Sequence, residues 1–262
     1  MMLCIRGIGV GLLAVLAMST VAATSAMAEP GIERGVCKAA KVGTGEFTDS
    51  LCTIPGKKAG KGKEFVWVPA AKATAFTATS GELALKAFTP EGAELPAVVC
   101  KKSKGKGKAA ATTSTVVFTF EECTSAGEKC TGGAKAKAGQ IVTFEVAGTL
   151  GMLGGAASGG EALVGTGPGG LFAEFKCGAN EVKINGGVIG EVSGVNAKAT
   201  TVMTLTFAST GSTQGIEAFE GGPNVHLAAE INGLGGGTFP FKSTFTKTLS
   251  IKGSKLELKL TI

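Results

Sequence analysis

Two stretches of the chain combine closely spaced lysines with glycine, residues 57–63 and 101–108. Because each ammonium is a compact positive charge, such stretches attract anionic polymers through contacts that weaken with added salt. No aromatic residue interleaves with the lysines, so base stacking is not offered and no specific nucleic-acid binding is predicted. We expect two flexible loops whose favoured role is a solvated, lysine-rich surface, with anion binding as the alternative role. The candidate anion-binding residues are Lys57, Lys58, Lys61, Lys63, Lys101, Lys102, Lys104, Lys106 and Lys108.

The cysteines have spacings that favour disulfides over a metal site. One of the seven, Cys4, lies near the start of the chain, and the others are Cys37, Cys52, Cys100, Cys123, Cys130 and Cys177. No pair is separated by only two residues, as zinc sites usually require. Several pairings are possible by sequence alone, and proximity favours Cys37–Cys52 and Cys123–Cys130. Cys100 and Cys177 are then left to bond to each other.

Few residue types suited to catalysis are present. His226 is the sole histidine and Asp49 the sole aspartate, and tyrosine is absent. A Ser-His-Asp triad therefore has to use His226 with Asp49 or with a glutamate. Zinc and calcium sites need clusters of His, Cys or Asp that the composition does not favour. We predict no catalytic residues, no metal and no cofactor, and the alternative is a secreted hydrolase using a glutamate pair or a Ser/His site.

Residues 165–170 match the glycine pattern of dinucleotide-binding loops. That pattern binds pyrophosphate only where a strand leads through it into a helix. Here Leu171–Cys177 follows and alternates like a strand, so we predict a simple glycine-rich loop.

Alternation of apolar and polar residues with period two dominates the chain after its first 28 residues. Val116, Phe118 and Phe120 form one such set, and Leu256, Leu258 and Leu260 form another. A segment with this period indicates a half-buried antiparallel strand, and Gly, Ser, Thr and Asn recur between the segments. The sequence therefore predicts an all-β fold, an antiparallel sandwich or barrel with Gly-rich loops and little helix. His226 falls on the polar side of the set Val225–Ile231.

The N-terminal segment has the features of a secretory signal peptide. Arg6 precedes an apolar run over residues 8–23, and Ala26-Met27-Ala28 supplies small residues before the expected cleavage point. Cleavage after Ala28 leaves residues 29–262, that is 262 − 28 = 234 residues, with a net charge of about +6 − 1 = +5. We expect them to form a single all-β domain, with a subdomain boundary within residues 151–170 as the open alternative. No second apolar run is long enough for a membrane span.

Three segments together carry a resemblance to known proteins. Cys37–Pro69 places a cysteine, a short loop, a second cysteine and a Lys/Gly turn before a strand with tryptophan. Phe120–Cys123 is followed by Cys130, and Phe175–Cys177 leads into Val182–Val192. This order resembles exported, cysteine-bearing, β-rich proteins of unknown function from high-GC Gram-positive bacteria. The resemblance covers most of the chain after residue 28, and it implies export and a β-rich fold but no activity.

The sequence thus predicts a secreted or cell-surface β protein that is stabilised by disulfides and has no catalytic activity. Its expected partner is an anionic cell-wall polymer or another surface protein. The oligomeric state is not specified by any of these patterns.

Overall fold

A computed structural model describes residues 31–56, 64–154, 158–197, 200–232 and 238–261. The expected signal peptide and the first lysine stretch, with Lys57, Lys58, Lys61 and Lys63, lie outside the described residues. Within the described residues, every regular element is a β-strand except for one 3-10 turn at Pro168–Gly170. The prediction of an all-β antiparallel fold is confirmed.

Seventeen strands are described. Their bounds are β1 Gly31–Ala39, β2 Phe65–Pro69, β3 Thr74–Ser80, β4 Leu83–Phe88, β5 Val98–Ala109, β6 Thr113–Ser125, β7 Glu128–Thr131, β8 Gln140–Val142, β9 Val146–Met152, β10 Gly159–Gly165, β11 Leu171–Cys177, β12 Asn180–Val192, β13 Thr200–Phe207, β14 Ser209–Thr210, β15 Thr213–Gln214, β16 Leu227–Asn232 and β17 Thr238–Thr261.

The strands form two closed circuits, in which each strand is hydrogen-bonded to the next. Four long strands, β5, β6, β12 and β17, belong to both circuits. In the first circuit, β5 pairs with β6 and the order continues through β9, β10, β12, β13, β17 and β3 back to β5. In the second, the order from β5 is β6, β7, β11, β12, β16, β17 and β4. All of these pairings are antiparallel. Because both circuits close, each of their strands has a neighbour on both sides.

The segment over residues 151–170 belongs to this continuous arrangement. It contains the end of β9 and all of β10, and these two strands pair with each other as a hairpin. β10 also pairs with β12, which joins the hairpin to the rest of the first circuit.

The interior of the circuits is filled mainly by apolar side chains. Val116 and Phe118 of β6, Ile184 of β12 and Phe207 of β13 are among the buried residues. A central cavity of about 60 Å³ remains, surrounded by aliphatic and phenylalanine side chains and by Cys100. Strand circuits of this size leave just enough room inside for side chains, which agrees with the small residual cavity.

The disulfide prediction is correct for one bond and wrong for two. Cys37 is bonded to Cys52, as predicted. The pairs Cys123–Cys130 and Cys100–Cys177 are not formed, and the bonds are instead Cys100–Cys123 and Cys130–Cys177.

The physical reason is that four cysteines lie in one row across β5, β6, β7 and β11. Cys100 is directly opposite Cys123, and Cys130 is directly opposite Cys177. The β6–β7 register pairs Thr124 with Lys129, so its continuation by one residue brings Cys123 level with Cys130 as well. A Cys123–Cys130 bond would leave the two outer cysteines about 14 Å apart, at about 4.8 Å per strand spacing. Bonding the neighbours two by two satisfies all four.

A buried ion pair joins β1 to the first circuit. Arg34 Nη2 lies 2.8 Å from Glu161 Oε1, and both side chains are almost completely buried. Ser114 Oγ donates a hydrogen bond of 2.6 Å to the same carboxylate oxygen. A Cβ at Gly148 would lie 2.0 Å from Ser114 Oγ and 2.6 Å from Glu161 Oε1, so this site on β9 has room only for glycine.

We expect either Arg34→Met or Glu161→Leu alone to lower the free energy of unfolding by about 3–5 kcal/mol, because each leaves an uncompensated buried charge. The double variant removes both charges and should lose much less than the sum of the two single changes. Chemical denaturation of the four proteins measures this. Additive losses would contradict the coupling.

The disulfides give a second test. Non-reducing peptide mapping should recover Cys100 linked to Cys123 and Cys130 linked to Cys177. In the chain-entropy model, loops of 23 and 47 residues contribute about 3.4 and about 4 kcal/mol. We therefore expect C130A/C177A to be less stable in denaturant than C100A/C123A. A peptide linking Cys123 to Cys130 would contradict the row arrangement.

Candidate functional site

The second lysine stretch is part of a strand, so the prediction of a flexible loop at residues 101–108 is wrong. These residues lie in β5, which is paired with β3 on one side and with β6 on the other. From residue 102 onward, lysines face solvent at even positions while Ser103, Gly105, Gly107 and Ala109 occupy the inner side. Since the inner residues are small or polar, the strand lacks the apolar alternation by which other strands were recognised.

The two glycines of this strand provide space for aromatic rings. A Cβ at Gly105 would come within 2.9 Å of the Phe118 ring, and one at Gly107 within 2.6 Å of the Phe76 ring. Both glycines lie in the part of β5 that is paired with β3 on one side and with β6 on the other. Glycine at these two positions permits the two rings to pack against the backbone of β5. The lysines project from the opposite side of this packed strand.

Three lysines at the start of this stretch are paired with glutamates of β6. Lys102 lies 3.4 Å from Glu121 and 3.2 Å from Glu122. Lys104 is 3.1 Å from Glu121, and Lys101 is 3.2 Å from Glu122. Hydrogen bonds from these lysines, that of Lys104 foremost, lower the pKa of Glu121, and the bond to Glu122 is the main cause that raises the pKa of Lys102. Positive charge is therefore largely neutralised at this end of the strand.

Three other lysines of the same outer surface have no ionic partner among the described residues. They are Lys106 and Lys108 of β5 and Lys252 of β17, all of them exposed. Thr77 of β3 is opposite Lys106 on one side and opposite Lys252 on the other, so these two lysines are two strands apart in one row. We call Lys106, Lys108 and Lys252 the free-lysine patch.

An open groove lies beside the free-lysine patch. It has a volume of about 330 Å³ and is lined by Lys106, Gly107, Lys108, Thr115, Val116, Val117 and Glu145. Thr115 and Val117 are exposed residues of β6, and Glu145 is an exposed residue just before β9. The groove therefore offers two cations, one hydroxyl and one carboxylate to a ligand.

Lys259 is a further unusual lysine that the sequence patterns did not single out. It is buried, and its Nζ lies 3.6 Å from the centroid of the Phe47 ring and 5.4 Å from that of Trp67. Burial lowers the pKa of Lys259, and the charge of Glu33 acts in the opposite direction. Glu33 also accepts a hydrogen bond from Trp67 Nε1. These contacts are structural, since the ammonium is enclosed by side chains that hold β1, β2 and β17 together.

The other candidates do not assemble into a catalytic site in the described part of the chain. His226 is exposed, while Leu227, Ala229 and Ile231 beside it are buried, which confirms the predicted alternation. Residues 165–170 lead into strand β11, as predicted for a glycine loop. The described residues contain no metal-binding group of three or more His, Cys, Asp or Glu. The lining of the groove beside the free-lysine patch has one carboxylate, and the lining of the central cavity has none.

Comparison with models of known families, with curated proteins and with solved structures gives no match for this chain. The resemblance to exported proteins of high-GC Gram-positive bacteria stays a prediction. Within the described residues there is no helix long and apolar enough to cross a membrane.

We expect His226→Ala to change the free energy of unfolding by no more than about 0.5 kcal/mol, because the side chain is exposed. Leu227→Ala is the matched control and should cost about 2–5 kcal/mol, because Leu227 is buried. Thermal or chemical unfolding measures both. A large loss for His226→Ala would show that the imidazole makes an essential contact.

Proposed function

We propose that this chain is an exported, non-catalytic binding protein for an anionic polymer at the cell surface or in the medium. The observation that carries the proposal is the free-lysine patch on the outer surface of strands that are paired on both sides. Exposed cations that lack acidic partners keep their field available to a ligand. Because β5 and β17 are held in closed circuits, the backbone of the patch is positioned before binding and little backbone conformational entropy is lost.

The cysteines support the location outside the cytoplasm. Three disulfides join all six cysteines of the described residues, and such bonds persist in oxidising compartments. The N-terminal segment with cleavage after Ala28 supplies the route of export in this proposal. Another surface protein remains the alternative partner, since the same cations attract acidic protein surfaces.

A hydrolase is the less supported alternative. Glycosidases place two carboxyl groups about 5–9.5 Å apart across a substrate cleft. Glu121 and Glu122 are adjacent, but both are bonded to lysines on an outer strand surface. Glu161 is buried and paired with Arg34.

Binding of the mature chain to polyanions at increasing salt tests the proposal. We expect the logarithm of the affinity to fall linearly with the logarithm of the salt concentration, because each lysine contact releases counterions. The fold should be unchanged in the variant that replaces Lys101, Lys102, Lys104, Lys106 and Lys108 by Gln, because these side chains face solvent.

We expect this five-lysine variant to bind more weakly than the natural chain at low salt. Equal affinity of both proteins at low salt would contradict a role for β5. Absence of binding to any polyanion at low salt would refute the proposed function itself.

A further inference from the structure

The ligand chemistry of the free-lysine patch can be specified further. We infer that it binds a linear phosphodiester chain whose phosphates are separated by short, neutral, hydroxylated linkers. This inference rests on the proposed function and assigns the binding to Lys106, Lys108 and Lys252.

The location follows from the distribution of charge along β5. Glu121 and Glu122 offset two of the three positive charges at the end that carries Lys101, Lys102 and Lys104. An anion arriving there has to displace an existing ion pair, whereas Lys106 and Lys108 have no ionic partner among the described residues. Lys252, which likewise has none in the described part of the chain, adds a positive charge two strands further, at a distance of about 9.6 Å for two strand spacings.

The spacing of the cations suits a short linker. Side chains at positions 106 and 108 point to the same side of the strand and are about 6.8 Å apart along it. Six covalent bonds connect their two Cα atoms. Six covalent bonds also connect successive phosphorus atoms when a three-carbon polyol joins them through two oxygens. In an extended chain of that kind, neighbouring phosphates therefore match neighbouring lysines.

The type of cation is compatible with phosphate. Lysine acts as a point charge that binds phosphate from many directions, while arginine would bind phosphate or carboxylate through a fixed planar fork. All three residues of the patch are lysine. The flexible side chains allow each ammonium to adjust to a tetrahedral anion.

The remaining surface favours hydroxylated linkers over bases. Thr115 offers a hydroxyl in the groove, and Glu145 offers an acceptor for a linker hydroxyl. Glu145 also repels a chain with anions at every position, which disfavours dense polycarboxylates. The row of outer residues across the patch is Val202, Lys252, Thr77, Lys106 and Val117, and none of them offers an aromatic ring for base stacking.

The decisive comparison uses two variants of equal charge. K106Q/K108Q/K252Q removes the free-lysine patch, and K101Q/K102Q/K104Q removes the paired lysines. The probe is a synthetic chain of phosphodiester-linked glycerol units, titrated by calorimetry against mature protein at several salt concentrations. Oligothymidylate and polyglutamate of equal charge are the comparison polymers. Circular dichroism and thermal unfolding verify that each variant is folded, and K106Q and K252Q alone replace the triple variant if it is not.

We expect the glycerol phosphate chain to bind more tightly than both comparison polymers. The patch variant should lose roughly tenfold or more in affinity, and its salt slope should fall by about two, at about 0.7 for each lost lysine–phosphate contact. The paired-lysine variant should change little.

Three results would overturn the inference. Equal losses in both variants would mean that binding follows net charge, which leaves the proposed function intact but removes the assigned site. Equal or tighter binding of oligothymidylate or of polyglutamate would refute the linker chemistry in favour of a nucleic acid or an acidic polypeptide. Absence of binding to all three polymers would refute the proposed function as well.

Discussion

The rest of the structure depends on one constraint: every strand in the two circuits is paired on both of its sides. β5, β6, β12 and β17 meet it by changing partners along their length. β12 changes from β11 to β10 near Gly186, which has φ +82 and no room for a Cβ against the His226 carbonyl. Without such changes of partner, the strands could not form both closed circuits. Closure leaves no unpaired edge in either circuit.

Closure of the circuits also limits which side chains fit inside them. Inner positions of β5 are small because the rings of Phe76 and Phe118 occupy the neighbouring space. The same limit explains the four cysteines in one row, since adjacent strands in register bring their inner side chains within bonding distance. Inside, Arg34 and Glu161 form an ion pair and Ser114 adds a hydrogen bond to Glu161, while Arg34 Nε and Nη1 have no hydrogen-bond partner among the described residues.

The outer surface of β5 derives its proposed role from the same constraint. A lysine-rich loop would have to be ordered by its ligand, at a cost in conformational entropy. On a strand paired on both sides, the lysines project at a regular spacing from a fixed backbone. Pairing with β6 then decides which of them are neutralised, because Glu121 and Glu122 are positioned by the register. As a result, only some of the lysines of residues 101–108 are available to a ligand, because the others are paired with glutamates.

Much of the fold was predictable from local patterns. The alternation in β6 and in residues 225–231 identified buried and exposed sides, because period two is a property of any extended chain with one buried side. The Cys37–Cys52 bond was also predictable, since it joins cysteines that are close in sequence.

The lysine strand and the other two disulfides were decided only by the tertiary structure. Residues 101–108 lack an apolar period, and they are a strand because β3 and β6 provide hydrogen bonds on both sides. Cys123 lies near Cys130 in sequence, yet its bond goes to Cys100 because strand register sets the distances between all four cysteines.

The free-lysine patch also depends on pairing between distant segments. Lys252 lies in one row with Lys106, on the other side of Thr77 of the intervening strand, and no local pattern encodes this. By itself, the sequence determined which residues face inward or outward in the alternating strands, and the tertiary structure decided which strands, cysteines and charges became neighbours, because that depends on pairings between distant segments.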